Sequence, residues 1–148
     1  MLADLASDDG GVAAKSSASL LADLMEQENA WLRVIFAFDG ETPVGIATYN
    51  PDFSSYRGCV GAFVGDLYVL PQARGNGIGR GLLRAVAADS RDWNTQYVSL
   101  MVHRTNSAAN EFYSRTGFKT REESDYLILE GDRLQSLCKP TSSRQQVT

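Results

Sequence analysis

The stretch Leu70–Leu83, LPQARGNGIGRGLL, sets glycine at positions 75, 77, 79 and 81 and arginine at 74 and 80, then turns apolar at helical spacing. Glycine at this density belongs to a turn whose backbone takes unusual angles or lets something approach closely. Upstream, GAFVGDLYVL (Gly61–Leu70) is rich in strand-forming residues and stops at Pro71, which cannot donate to a ladder. Downstream, Ile78, Leu82, Leu83 and Val86 share one face of a helix predicted from about Gly77 to Asp89. Strand, glycine-rich turn and helix N-terminus together offer several unpaired N–H groups and the positive end of a helix dipole, an arrangement that holds phosphate oxygens. Arg74 and Arg80 can add charge-assisted bonds at the rim. No G-K-[ST] follows the glycines, and the first-strand setting and downstream acid of a dinucleotide fold are missing. The ligand implied is a pyrophosphate of another kind. Taken alone, the glycines also fit a flexible turn before a packed helix.

Outward from this unit, Ser17–Leu32 places leucines and Met25 near helical period, and the stretch before it reads as a helix stub ended by Gly10 and Gly11. Leu32–Asn50 reads as two strands joined at Asp39 and Gly40. NPDFSSYRG (Asn50–Gly58) is a loop by composition. Tyr97–Val102 reads as a buried strand and Asn106–Phe118 as a short helix, with Asn106 as N-cap and Gly117 at the stop. Tyr126–Gly131, YLILEG, is expected to close the sheet. Strands paired first by a hairpin and later separated by helices predict an α/β (α+β) fold, a mixed sheet with helices on its faces.

At 148 residues and 43% hydrophobic, the chain suits one domain with a sizeable core, expected over residues 1–139 and followed by a disordered tail, 140–148. A net charge of -4 leaves no basic stripe for nucleic acid. No apolar run approaches the ~20 residues that span a bilayer, and no basic, then apolar leader opens the chain. Cys59 and Cys138 lack metal-ligand spacing and are expected to be reduced thiols of a cytoplasmic protein. No metal is expected.

A second block decides between the readings of the glycines. R-x-x-G-x-G at Arg74, Gly77 and Gly79, followed by N-x-x-A-x-x-F-Y-x-x-x-G-F at Asn106, Ala109, Phe112, Tyr113, Gly117 and Phe118, resembles the GCN5-related N-acetyltransferase (GNAT) superfamily. NPDFSSYRG, GDLYVLPQARGNGIG and YLILEGDRLQSL look most like its diamine and polyamine acetyltransferase branch. The resemblance covers Leu32–Leu137. It implies a mostly antiparallel central sheet with helices on both faces and acetyl-CoA as co-substrate. The backbone of Leu67, Tyr68 and Val69 would pair with the pantetheine arm. Arg74, Gly75, Asn76, Gly77, Ile78, Gly79 and Arg80 would hold the pyrophosphate. Asn106 would touch the CoA arm, and Tyr113 would protonate the departing thiolate; a phenol with pKa near ~10 is suited to that. Anchoring its helix is the other reading of Tyr113, and capping is a role Asn106 has in any case. Phe112 is assigned to the core.

The branch usually carries Glu-Asp before its Leu-Tyr-Val-like run, with the Glu as base; here the pair is Gly65-Asp66. Asp66, directly or through water, is the expected base, or it only binds a cationic substrate. Phe53 and Tyr56 would wall the acceptor site. His103, Glu111 and Cys59 are weaker candidates, each with an ordinary packing, dipole or surface reading.

The superfamily opens with a strand and a full helix, whereas Met1 falls where that helix should be ending. A sheet lacking its usual first strand is therefore expected, its exposed edge covered in a homodimer. The function expected is acetyl transfer from acetyl-CoA to a small di- or polyamine. A protein lysine or N-terminal acetyltransferase and a non-catalytic CoA-binding module are the alternatives.

Overall fold

A computed structural model describes residues 18–27 and 31–138. The chain divides into two compact units, Met1–Gly117 and Phe118–Thr148. The expectations about a first strand, the helix stub and the tail fall outside the described residues.

In the first unit, helix α1 (Ala18–Met25) precedes a four-stranded sheet of β1 (Arg33–Asp39), β2 (Thr42–Ser54), β3 (Cys59–Val69) and β4 (Val98–Leu100), in that spatial order. The β1–β2 and β2–β3 pairs are antiparallel and β3–β4 is parallel, which gives the mixed, mostly antiparallel sheet expected. Gly40, at φ +58°, turns β1 into β2, and Gly58, at φ +64°, turns β2 into β3. Helix α2 (Ile78–Asp89) follows the glycine-rich turn and lays Leu82, Leu83 and Val86 against the sheet. Its approach is close at Gly45, where a Cβ would lie 3.1 Å from Leu82 and 3.2 Å from Ile78. Every residue of β2 from Val44 to Tyr49 is buried, so this middle strand is covered on both faces. Helix α3 (Ser107–Thr116) completes the unit.

Two expectations about the sheet change. The expected loop Asn50–Gly58 is half strand, because β2 continues to Ser54. Pro51 is tolerated there because β1 ends at Arg33, opposite Tyr49; beyond that pair β2 has an open side on which no N–H is required. The expected strand Tyr97–Val102 shrinks to Val98–Leu100. Thr48 pairs with Asp66 and Tyr49 with Val64, so Gly65 is an extra residue in β3, a bulge that increases twist and turns the strand away from β4.

In the second unit the expected closing strand is absent: Tyr126–Leu129 join no ladder, and Leu127 is 87% exposed. Apolar residues in sequence do not make a strand without a neighbour to bond. Helix α4 (Gly131–Cys138) follows, with Ser136 Oγ bonded to the Asp132 carbonyl at 2.8 Å. Both cysteines are free thiols, as expected.

Candidate active site

The site begins with backbone that the sheet leaves unpaired. Leu70 N–H bonds Val44 O at 2.9 Å, so Leu70 and Tyr68 direct their backbone groups toward β2. By strand alternation Leu67 and Val69 direct theirs the other way, where β4 pairing has ended at Val64–Leu100. Among the residues expected to bind a strand-like ligand, Leu67 and Val69 therefore face the open side, and Tyr68, with its side chain 4% exposed, faces the sheet.

The turn that follows is pinned from within. A short 3-10 turn, Pro71–Ala73, is closed by Ala73 N–H on Leu70 O at 2.9 Å. Asn76 Nδ2 donates to Ala73 O at 3.3 Å. Arg74 folds back, its Nε donating to Val69 O at 2.9 Å and its guanidinium lying 5.4 Å from the Tyr68 ring centre. Gly75 and Gly77 take left-handed φ values of +83° and +78°, which few other residues adopt. Gly77 is the N-cap of α2 and brings no capping side chain; its carbonyl accepts from Gly81 N–H at 2.9 Å. The N–H groups of Ile78, Gly79 and Arg80 precede the first intrahelical bond and point outward at the positive end of the helix.

The opposite end of α2 is clasped. Arg33 donates to the Asp89 carbonyl, to Asp89 Oδ2 and to Asp92 Oδ1, each at 3.0 Å, and stacks 4.1 Å over the Trp93 ring. A cation there complements the negative helix terminus. Hydrogen bonding to Asp92, above all, holds the Arg33 pKa above its usual value. Tyr49 Oη donates to Asp89, and burial first, then that carboxylate, push its phenol up.

Asp66 lies half-buried just past the bulge and accepts from Thr48 Oγ1 at 2.5 Å; Thr48 itself is 3% exposed. Gly65 is exposed, and a Cβ there would sit 3.3 Å from Thr48 Oγ1. On α3, Asn106 caps the helix by accepting from Ala109 N–H at 3.1 Å, and Gly117 ends it at φ +104°. Phe112 is half-buried rather than a core residue: its ring tip rests on Gly79. Tyr113 stands edge-on to Phe112, ring centres 5.1 Å apart. Phe53 and Tyr56 are at the β2–β3 hairpin tip, 69% and 88% exposed. Phe53 is five residues beyond Thr48, about 17 Å along the strand, and the odd spacing puts its side chain on the opposite face of the sheet from Thr48 and Asp66.

Sequence reasoning missed Thr48, whose pairing with Asp66 depends on the bulge register, and the seating of Phe112 on Gly79. It also missed Tyr97, whose ring crosses Gly61 and whose Oη bonds Asp52 Oδ2 at 3.0 Å. Among the described residues, no group of three His, Cys, Asp or Glu is placed to hold a metal, and no helix is long and apolar enough to cross a membrane.

The family model of the acetyltransferase (GNAT) family matches residues 2–118, the first unit from its second residue to one residue past its end. This chain belongs to the GNAT family. An uncharacterized N-acetyltransferase of Mycobacterium bovis is 34% identical over 73 residues, covering 43% of this GNAT chain and 47% of that protein. The chain thus matches about half the length of that curated relative. An integron cassette protein from the mobile metagenome of V. cholerae superposes with a TM-score of 0.75 at 29% identity, covering 94% of this chain and 87% of that one. The aminoglycoside N-acetyltransferase AAC(6')-Iy, solved in complex with CoA, shares the GNAT fold with a TM-score of 0.63 at 17% identity, covering 74% and 83%.

Proposed function

We propose that this GNAT chain moves an acetyl group from acetyl-CoA directly to a primary amine, with a small di- or polyamine-like molecule as acceptor. The observation that carries the reading is the continuity of backbone donors, from the open side of β3 at Leu67 and Val69 to the first-turn amides of α2. Leu67 and Val69 would hold the pantetheine arm, and Ile78, Gly79 and Arg80 the pyrophosphate, with Gly75, Asn76 and Gly77 shaping the turn. Bound there, acetyl-CoA supplies its acyl group as a thioester. Arg74 braces the turn against β3. Asn106 caps α3 beside the CoA arm.

An amine with pKa near ~10.4 is neutral in about one molecule in 2,500 at pH 7, a cost of roughly 4.6 kcal/mol before attack. Asp66 takes that proton, directly or through one water, its carboxylate held by Thr48. Tyr113 gives a proton to the leaving thiolate. The amine nitrogen gains the acyl carbon as the carbon–sulfur bond breaks, so no acyl-enzyme is needed. The polyamine class rests on the branch resemblance, and the net charge of -4 permits a cationic acceptor without selecting one. The same proposal places the enzyme in the cytoplasm as a homodimer, without nucleic-acid or membrane partners.

Asp66→Asn separates catalysis from mere CoA binding: kcat/KM for the amine should fall about 100-fold or more. Full activity of this variant at every pH excludes Asp66 as the base.

A further inference from the structure

We propose that Phe112 is a positioning residue, setting Tyr113 against the acetyl donor by resting its ring on Gly79; this deepens the acetyl-transfer reading and rests on it. An ideal Cβ at Gly79 would lie 3.2 Å from Phe112 Cζ, 3.5 Å from Cε2 and 3.8 Å from Cε1. A Cβ at position 79 would therefore press on the ring tip, which would have to give by a few tenths of an ångström. Gly79 is also in the first turn of α2, whose N–H groups would face the pyrophosphate. One residue thus has two duties: its amide faces the donor, and its bare Cα seats α3.

What α3 carries makes the seat matter. It is a ten-residue helix closed by Asn106 at one end and Gly117 at the other. Within such a rod, successive residues keep a fixed angular offset, so a displacement at Phe112 is passed to Tyr113. The two rings are also in direct edge contact, 5.1 Å between centres at 60°. The phosphate-facing turn and the phenol are therefore linked through the Phe112 ring. Glycine at position 79 lets the Phe112 ring sit closer to α2 than a side chain there would.

The experiment is a pair of double-mutant cycles, reading kcat and the KM for acetyl-CoA. The acceptor is whichever of spermidine, putrescine, lysine or kanamycin gives the fastest CoA release with wild type. Phe112→Leu, which keeps an apolar side chain, is expected to lower kcat about tenfold, since misplacing a reacting group by an ångström costs up to ~100-fold. KM for acetyl-CoA should stay within about twofold, because the removed contact does not bind the donor. In a Tyr113→Phe background, Phe112→Leu should cost nothing further. Gly79→Ala, which crowds the ring from the other helix, should lower kcat alone but not on top of Phe112→Leu. Rates are taken per folded molecule from the melting curve, so destabilisation alone cannot imitate the result.

Additive losses in the Phe112–Tyr113 cycle, or an effect confined to KM, would overturn the inference while leaving the transfer reading intact. Wild type silent with every acceptor, or Tyr113→Phe as active as wild type, would refute the reading of Tyr113 on which the inference stands.

Discussion

Replacing Gly77 and Gly81 by alanine, four residues apart in the same turn and helix, should move stability in opposite directions. Gly77 has φ +78° and nothing within 4 Å of an added Cβ, so its variant bears backbone strain and no clash. A left-handed alanine costs about 1–2 kcal/mol, of which ~0.5 kcal/mol is returned by the stiffer unfolded chain, a net loss of about 1 kcal/mol. Gly81 also has nothing within 4 Å of an added Cβ, but it lies inside α2, where alanine gains roughly 0.5–1 kcal/mol over glycine. Urea unfolding followed by circular dichroism should separate the two variants by about 2 kcal/mol, and their melting temperatures by roughly 6–8 °C. If the turn relaxes instead of bearing strain, the first-turn amides shift, and about 1 kcal/mol reappears as roughly fivefold weaker acetyl-CoA binding by calorimetry. Shifts of the same sign in both variants, with binding unchanged, would refute the argument that Gly77 is needed for its backbone angle.

Gly61→Ala drives a Cβ into hard overlap with one side of the Tyr97 ring and should cost about 3 kcal/mol, from overpacking and the strained Tyr97–Asp52 hydrogen bond; Tyr97→Ala in the same chain should remove most of that cost, read by urea unfolding. Arg33 holds the Asp92 carboxyl below its usual value, mainly by hydrogen bonding. That contribution is present above the usual carboxylate pKa and is lost as pH falls through the lowered one. Arg33→Met should accordingly flatten the fall in melting temperature on the acid side of the usual carboxylate pKa, and an unchanged acid limb would contradict it. Asp66→Asn should keep acetyl-CoA binding while losing turnover, which calorimetry and a CoA-release assay on one preparation would show.

Features with a local chemical cause were legible in the sequence. Gly40, Gly58 and Gly117 end elements through their own positive φ, Pro71 ends β3 by lacking an N–H, and Asn106 caps α3 with its own side chain. Features decided by a distant neighbour were not. Pro51 sits in a strand only because β1 stops opposite Tyr49, and β4 is short because the bulge at Gly65 turns β3 aside. Tyr126–Leu129 has strand-like composition but no ladder, and α4 shows only Leu134 and Leu137 at helical spacing. At the candidate site, the glycine-rich turn ahead of α2 could be read directly. Thr48 could not, since a one-residue change of register would give Asp66 a different partner. The Phe112–Gly79 contact joins residues 33 apart with no shared period.

Acetyl transfer to an amine is tested by following CoA release by purified protein with acetyl-CoA against diamines, polyamines, lysine analogues and aminoglycosides, beside Tyr113→Phe. Release with one acceptor class, weakened in the variant, is expected. Calorimetric binding of acetyl-CoA with no release to any amine would contradict it and leave a CoA-binding module or a protein acceptor in its place.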